Sequence, residues 1–239
     1  MASNKVHTFY DAYVQQQVET GINDRIYGVY KRLLTLGLNP RSSVLELGCG
    51  VGMMTSLLKR TVTQGKIHAI DLSEGSIRYA KEKFASPHVA FSTQDITEFS
   101  TSVLSPDFIT LIDVLEHIPL DQHAALLERI SNAMGLHSQF VINLPNPEYI
   151  AHDIALEADS LQVIDQPVPF ANLIHQLDKA HLELMHYEKY GIWHHDEYQW
   201  FVLRKKRPFE EKALDDSLTI TQKILRKIRR LRMRRLSRF

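Results

Sequence analysis

Between residues 43 and 144, short runs of consecutive apolar residues alternate with stretches where apolar residues recur every three or four positions. The first pattern reads as strands buried on both faces, the second as amphipathic helices. It predicts strand 43–48, helix 52–60, strand 66–71, helix 73–84, strand 88–92, strand 107–113, helix 121–134 and strand 138–144. Such alternation implies a mostly parallel sheet with helices on both faces, an α/β fold. Segment 97–106 is too short and polar for a crossover helix beyond one turn at Thr97-Glu98-Phe99. Ahead of the sheet, residues 7–20 and a segment ending at Leu36-Gly37-Leu38 read as two helices, with Gly37 and Asn39-Pro40 as stop signals. After it, His181 to Tyr190 alternates apolar and polar residues, Gly191 to Glu197 turns, and Tyr198 to Leu203 follows, an antiparallel hairpin. Residues 146–179, with Pro147, Pro167 and Pro169 among acidic and apolar patches, read as an insertion that shapes a substrate pocket. The expected organisation is a helical segment over 1–40, a core over 41–206 and a tail over 207–239.

The first strand ends in Glu46-Leu47-Gly48-Cys49-Gly50-Val51-Gly52. A strand that turns sharply into a helix presents backbone N–H groups at the helix N-terminus, and glycines admit a ligand where a Cβ would block it. A dinucleotide fingerprint would place its third glycine at position 53, which is Met53. Asp71, at the end of the second strand, is an acceptor-only group suited to two vicinal ribose hydroxyls, a device that dinucleotide enzymes also use.

Glu46-x-Gly48-x-Gly50-x-Gly52, Asp71 after the second strand, Gln94-Asp95-Ile96 after the third and Asp113-Val114-Leu115-Glu116-His117-Ile118-Pro119 after the fourth stand in one order. Together they resemble the class I S-adenosylmethionine (SAM) methyltransferases, in particular the small-molecule O-methyltransferases of ubiquinone biosynthesis and of sugar and polyketide modification. The resemblance spans roughly residues 5–205. It implies a Rossmann-like seven-stranded sheet closed by an antiparallel hairpin, with SAM as cofactor. It also implies a cofactor site of Glu46, Gly48, Cys49, Gly50, Gly52, Asp71 and Leu72, with Asp95 and Ile96 beside the adenine and Asp113 framing the methionine moiety. Phe9-Tyr10-Asp11-x-Tyr13 is similar to the segment that such enzymes fold over the cofactor as a lid, which adds Tyr10 and Tyr13. An aromatic stripe packed on the sheet is the alternative. Val114-Leu115 departs from the Pro-Pro-aromatic pattern of adenine-N6 methyltransferases, so a nucleobase acceptor is not expected.

Methyl transfer is an in-line displacement in which positioning does most of the work, and a base that takes the acceptor's proton adds to it. His117 is the first candidate for that base, because it follows the fourth strand at the carboxyl edge where ligands of open α/β sheets bind. Capping of the next helix, or lining the pocket without moving protons, is the competing role. His152, His194 and His195 are further candidates. Adjacent histidines in a strand point to opposite faces, so His194-His195-Asp196-Glu197 reads as a solvated turn, and no metal is expected. Two rival functions are a catalytically silent SAM-binding partner subunit and an NAD-dependent oxidoreductase.

The chain has 239 residues and 44% apolar composition, enough for one large core. Its single cysteine, Cys49, excludes an intramolecular disulfide and a cysteine metal cluster, and reads as a small loop filler. No run of eighteen apolar residues occurs, and Met1 to His7 lacks the apolar segment of a secretory signal, so a cytoplasmic protein is expected. The formal net charge of zero hides a segregation. Nine of the 28 basic residues lie between Lys223 and Arg238 with no acid among them, leaving 19 against 28 acids in the preceding chain. With Ile220, Ile224, Leu225, Ile228, Leu231, Leu236 and Phe239 on one side, this tail reads as a basic amphipathic helix. An anionic membrane surface uses both of its faces, whereas nucleic acid would not use the apolar one. A solvated or self-docked helix is the plainer alternative. The expected partners are a small-molecule acceptor and, through the tail, the inner face of a membrane.

Overall fold

The structure, a computed structural model, describes residues 14–156, 165–209, 211 and 218–236. They divide into two compact units, one ending at Lys206 and one beginning at Arg207. Tyr10 and Tyr13, and with them the lid reading, lie outside the described residues.

Residues 14–20 are helical (α1). The elements then run α2 (Asp24–Thr35), β1 (Ser43–Leu47), α3 (Met53–Thr61), β2 (Lys66–Asp71), α4 (Glu74–Phe84), β3 (Val89–Thr93), β4 (Phe108–Ile112), a 3₁₀ turn η1 (Leu115–His117), α5 (His123–Ala133), β5 (Gln139–Pro145), α6 (Pro147–Ala155), α7 (Phe170–Lys179), β6 (Leu182–Tyr190), β7 (Tyr198–Lys205) and α8 (Ile220–Leu236). Local signals set the boundaries. The Asn23 side chain accepts from the Ile26 N–H to start α2, and the Ser73 hydroxyl accepts from the Ser76 N–H to start α4.

Seven strands form one sheet in the order β3-β2-β1-β4-β5-β7-β6. The first five are parallel, while β7 pairs antiparallel with both β5 and β6. Each central strand sends alternate side chains to opposite layers. Leu45, Leu47, Phe140, Ile142, Phe201 and Leu203 pack with Leu126, Ile130, Leu173 and Leu177 from α5 and α7. Val44, Val141, Trp200 and Val202 pack on the other face with Val29, Leu33, Met54 and Leu58 from α2 and α3. This two-sided burial explains why these strands read as continuous apolar runs.

Two expectations change. Segment 146–179 is not one insertion, since α7 buries Leu173 and Leu177 against the sheet layer and serves as the crossover into β6. Nor is all of 1–40 a separate segment, because α2 buries Val29 and Leu33 in the core. Parallel β1 and β4 are neighbours whose connections leave to opposite sides, so their carboxyl ends form the switch point where such sheets open a crevice.

Candidate active site

A cavity of about 530 Å³ opens at that switch point. The turn from β1 to α3 forms one wall. Gly48 and Cys49 donate their N–H groups to the Ile70 carbonyl at 2.8 and 3.0 Å, which folds the loop across the end of β2. Gly48, Gly50 and Gly52 all have positive φ. A Cβ on Gly50 would come within 3.1 Å of the Gln17 carboxamide of α1, so a larger residue there would both strain the left-handed backbone and press on α1. Gly52 departs from expectation and is not among the residues lining the cavity. Its absent Cβ faces Phe84 and Ala80 at 3.0 and 3.1 Å, so it serves the packing of α3 against α4.

The Asp71 carboxylate locks this wall. Its Oδ2 accepts from the Gly50 N–H at 2.7 Å and its Oδ1 from the Ser73 N–H at 2.9 Å. Leu72, Asp95 and Ile96 extend the cavity beyond it. Asp95 Oδ1 accepts from the Thr97 N–H and hydroxyl at 2.8 and 2.7 Å, holding the loop after β3 in place. Burial pushes the Cys49 thiol well above its usual range, with nearby Asp71 and Glu46 adding to the shift, which favours the loop-filler role over a nucleophile.

Glu46 is buried at the end of β1, where its Oε2 accepts from the Thr55 hydroxyl at 2.6 Å. Burial, partly opposed by that bond, pushes its carboxyl up to about 8. The folded state therefore holds the proton more tightly than the unfolded chain. The resulting stabilisation is complete below the unfolded value of 4.5 and is lost as pH rises through about 8. Relative to wild type, Glu46→Gln is expected to gain on the order of a few kcal/mol across that window. Thermal denaturation of the cofactor-free proteins checks this. The two melting temperatures should converge near about pH 5 and separate near about pH 8, with the variant higher.

The opposite wall contains residues the sequence reading passed over. Arg25, in the first turn of α2, pairs with Asp113 at 3.0 Å and donates to the Tyr198 hydroxyl at 3.2 Å. Asp113 Oδ1 accepts from the Asn143 amide at 2.9 Å, and the Tyr190 hydroxyl donates to Asn143 Oδ1 at 2.6 Å. This network ties α2 to β4, β5 and the closing hairpin. Asp113 itself sits at φ +53°, the left-handed region, so the chain leaves β4 at a sharp angle. Asp113 raises the Arg25 guanidinium above its ordinary range, against the opposing effect of burial.

His117 ends η1 with its side chain only 12% exposed, and its Nδ1 lies 2.9 Å from Asp165 Oδ1. When Nδ1–H donates to Asp165, Nε2 carries the lone pair, the arrangement a proton acceptor needs. Next to it, Glu116 is buried and its Oε2 has no hydrogen-bond partner. Burial pushes the Glu116 carboxyl up, and the neighbouring His117 pulls it back. Tyr149, Ile150 and Asp153 of α6 and Trp193 of the hairpin turn complete this end of the cavity. No signal in the sequence joins Asp165 to His117, because they meet only in the folded chain, where the neighbouring Gln166 N–H also donates to the Glu116 carbonyl at 3.2 Å.

His152, His194 and His195 are not among the lining residues. His152 points outward beside Asp153, and the His194 ring stacks on Tyr149 at 5.8 Å between centroids. The turn 191–197 is mostly exposed, as expected, except at its last residue. Glu197 is 1% exposed, and its Oε2 accepts from the N–H groups of Ile192, Trp193 and His194 at 2.8–3.0 Å. One buried carboxylate thus organises the whole turn and holds Trp193 at the cavity.

Comparison with known proteins decides what this arrangement is. A family described as a methyltransferase domain matches residues 44–135, the span from β1 through the glycine loop and η1 to the end of α5. Residues 44–135 thus match a methyltransferase domain, set within the fold of the class I SAM-dependent methyltransferases. Malonyl-[acyl-carrier protein] O-methyltransferase of Priestia megaterium is 35% identical over 91 residues, 38% of this chain and 31% of that protein. Trans-aconitate 2-methyltransferase of Methylobacterium nodulans is 26% identical over 151 residues, 63% of this chain and 54% of that protein. The chain thus spans about a third to a half of the length of these relatives. Magnesium protoporphyrin IX methyltransferase of Synechocystis PCC 6803, solved with bound SAH, has the same fold with a TM-score of 0.68 at 15% identity, covering 85% of this chain and 99% of that one. The methyltransferase sheet explains the antiparallel β7, because a dinucleotide-binding domain ends in a parallel sixth strand. In the methyltransferase domain the cradle suits SAM. Gly48 and Gly50 line the cavity, and the Asp71 carboxylate stands at the tip of β2 on the cavity wall.

Proposed function

We propose that this chain is a SAM-dependent methyltransferase that methylates a hydroxyl oxygen of a small-molecule acceptor, glycan-related and membrane-borne hydroxyl compounds included. The observation that carries this reading is a single cavity walled at one end by the glycine loop with Asp71 and at the other by the His117–Asp165 pair. Bound SAM supplies an electrophilic methyl group on a sulfonium. In this reading Gly48, Cys49, Gly50, Asp71 and Leu72 hold its ribose and amino-acid portions. Asp95 and Ile96 hold the adenine, and Asp113 with Arg25 frames the methionine end. His117 Nε2 takes the acceptor's hydroxyl proton as the new C–O bond forms, and Asp165 keeps the ring turned for that task.

The related enzymes are named for malonyl and aconitate acceptors, and the wall around His117 argues against extending such anions to this chain. Arg25 and His117 are the basic side chains among the described lining residues, and each already lies against a carboxylate, Asp113 or Asp165. An anionic acceptor would also face Glu116 and Asp153.

Calorimetry with SAM, SAH and NAD tests the cofactor, with binding expected for the first two alone. Incubation with tritiated SAM and a panel of sugars, quinols, phenols and lipid-linked glycans tests the acceptor. Label is expected in a base-stable methyl ether. Tight NAD binding without either SAM species would overturn the reading. SAM binding with no methyl transfer to any acceptor, cell extracts included, would favour a silent partner subunit.

A further inference from the structure

Helix α8 belongs to the second compact unit, and its apolar side chains from Ile220 to Met233 are exposed. At about 100° per residue, Ile220, Ile224, Leu225, Ile228 and Leu231 fall within an arc of roughly 140°. Their side chains are uncovered, Ile228 least so at 44% exposure and Ile220 most at 79%. Lys223, Arg226, Lys227, Arg229 and Arg230 occupy the opposite arc, and the helix contains no acidic residue. No helix among the described residues is long and apolar enough to cross a membrane, and 17 residues with this much charge cannot do so.

We propose that α8 is an interfacial anchor that lies flat in the surface of an anionic lipid bilayer. Two features select this occupant. A stripe of large aliphatic side chains facing solvent is costly in isolation and is covered when it enters the boundary between headgroups and acyl chains. The basic arc then sits at the level of the phosphates, where each positive charge is attracted to anionic lipid. Arg232, which projects within the apolar arc, reaches the headgroups by extending its long stem, as arginine does at such boundaries. Nucleic acid would engage the basic arc and leave the stripe wet. A purely apolar protein groove would cover the stripe and leave the charges uncompensated. A bilayer surface is the partner that matches both arcs over about 26 Å of helix.

The test uses the full chain and needs no methyl acceptor, so it stands apart from the proposed catalysis. Flotation is measured with phosphatidylcholine vesicles containing phosphatidylserine, and with phosphatidylcholine alone. Two triple variants accompany wild type, Lys227→Gln/Arg229→Gln/Arg230→Gln and Ile224→Ser/Ile228→Ser/Leu231→Ser. SAH affinity, expected to be unchanged in both, checks that the methyltransferase domain is intact. Wild type is expected to float with the anionic vesicles only. At roughly fivefold per basic residue, the charge variant should lose about 100-fold in vesicle affinity. The apolar variant should lose binding as well. The proposal is overturned if wild type does not float with anionic vesicles at low salt. It is equally overturned if the apolar variant floats as well as wild type, since charge alone would then explain the binding.

Discussion

Replacing Asp71 with alanine is expected to weaken SAM and SAH binding by at least 100-fold while leaving a folded protein. The carboxylate is proposed to hold two ribose hydroxyls, and the loss of those bonds alone would cost roughly 1–3 kcal/mol. The structure enlarges the expected effect, because the same carboxylate accepts from the N–H groups of Gly50 and Ser73. Charge-assisted bonds of this kind are worth about 1.5–3 kcal/mol each, and without them the glycine loop loses the partner that fixes its distance from β2. Asp71→Asn is the informative companion. Its amide oxygen can still accept one N–H, but its NH₂ group meets a second N–H donor, so an intermediate loss is expected. Calorimetry with SAH, alongside thermal denaturation to verify folding, measures both. Unchanged affinity in a folded Asp71→Ala protein would place the ribose elsewhere.

For His117→Ala, the expected result is a fall in kcat of about 10²–10⁴-fold with cofactor affinity nearly unchanged. The acid limb of the pH–rate profile should disappear with the imidazole, because no group remains that must lose a proton before accepting one from the substrate. Asp165→Asn should lower kcat less and keep that limb, since the ring persists but loses the carboxylate that orients it. Steady-state kinetics on the labelled acceptor, measured across pH, separates these outcomes. A His117→Ala enzyme with full kcat and an intact acid limb would mean that His117 lines the pocket without moving protons.

The sequence by itself determined the strand and helix succession, because a strand buried on both faces needs a continuous apolar run and a helix packed on one side needs a three-to-four-residue period. It also determined the glycine loop and Asp71, since a sharp strand-to-helix turn with positive φ and a carboxylate that accepts from the loop's N–H restrict residue type at fixed distances from a strand end. Those constraints are local, and local constraints are written in consecutive residues. Tertiary structure alone decided the remainder. Arg25 meets Asp113 across 88 positions and His117 meets Asp165 across 48, with no spacing rule to link either pair. Gly52 carries the same left-handed backbone as Gly48 and Gly50, yet it faces Phe84 and Ala80 because the helix it starts turns it away from the cavity. Residues 191–197 read as polar and solvated, but three consecutive N–H groups converge on Glu197 and draw it inside. A carboxylate is placed outside or inside by the donors that surround it, and in this hairpin they surround it only once β6 and β7 have paired.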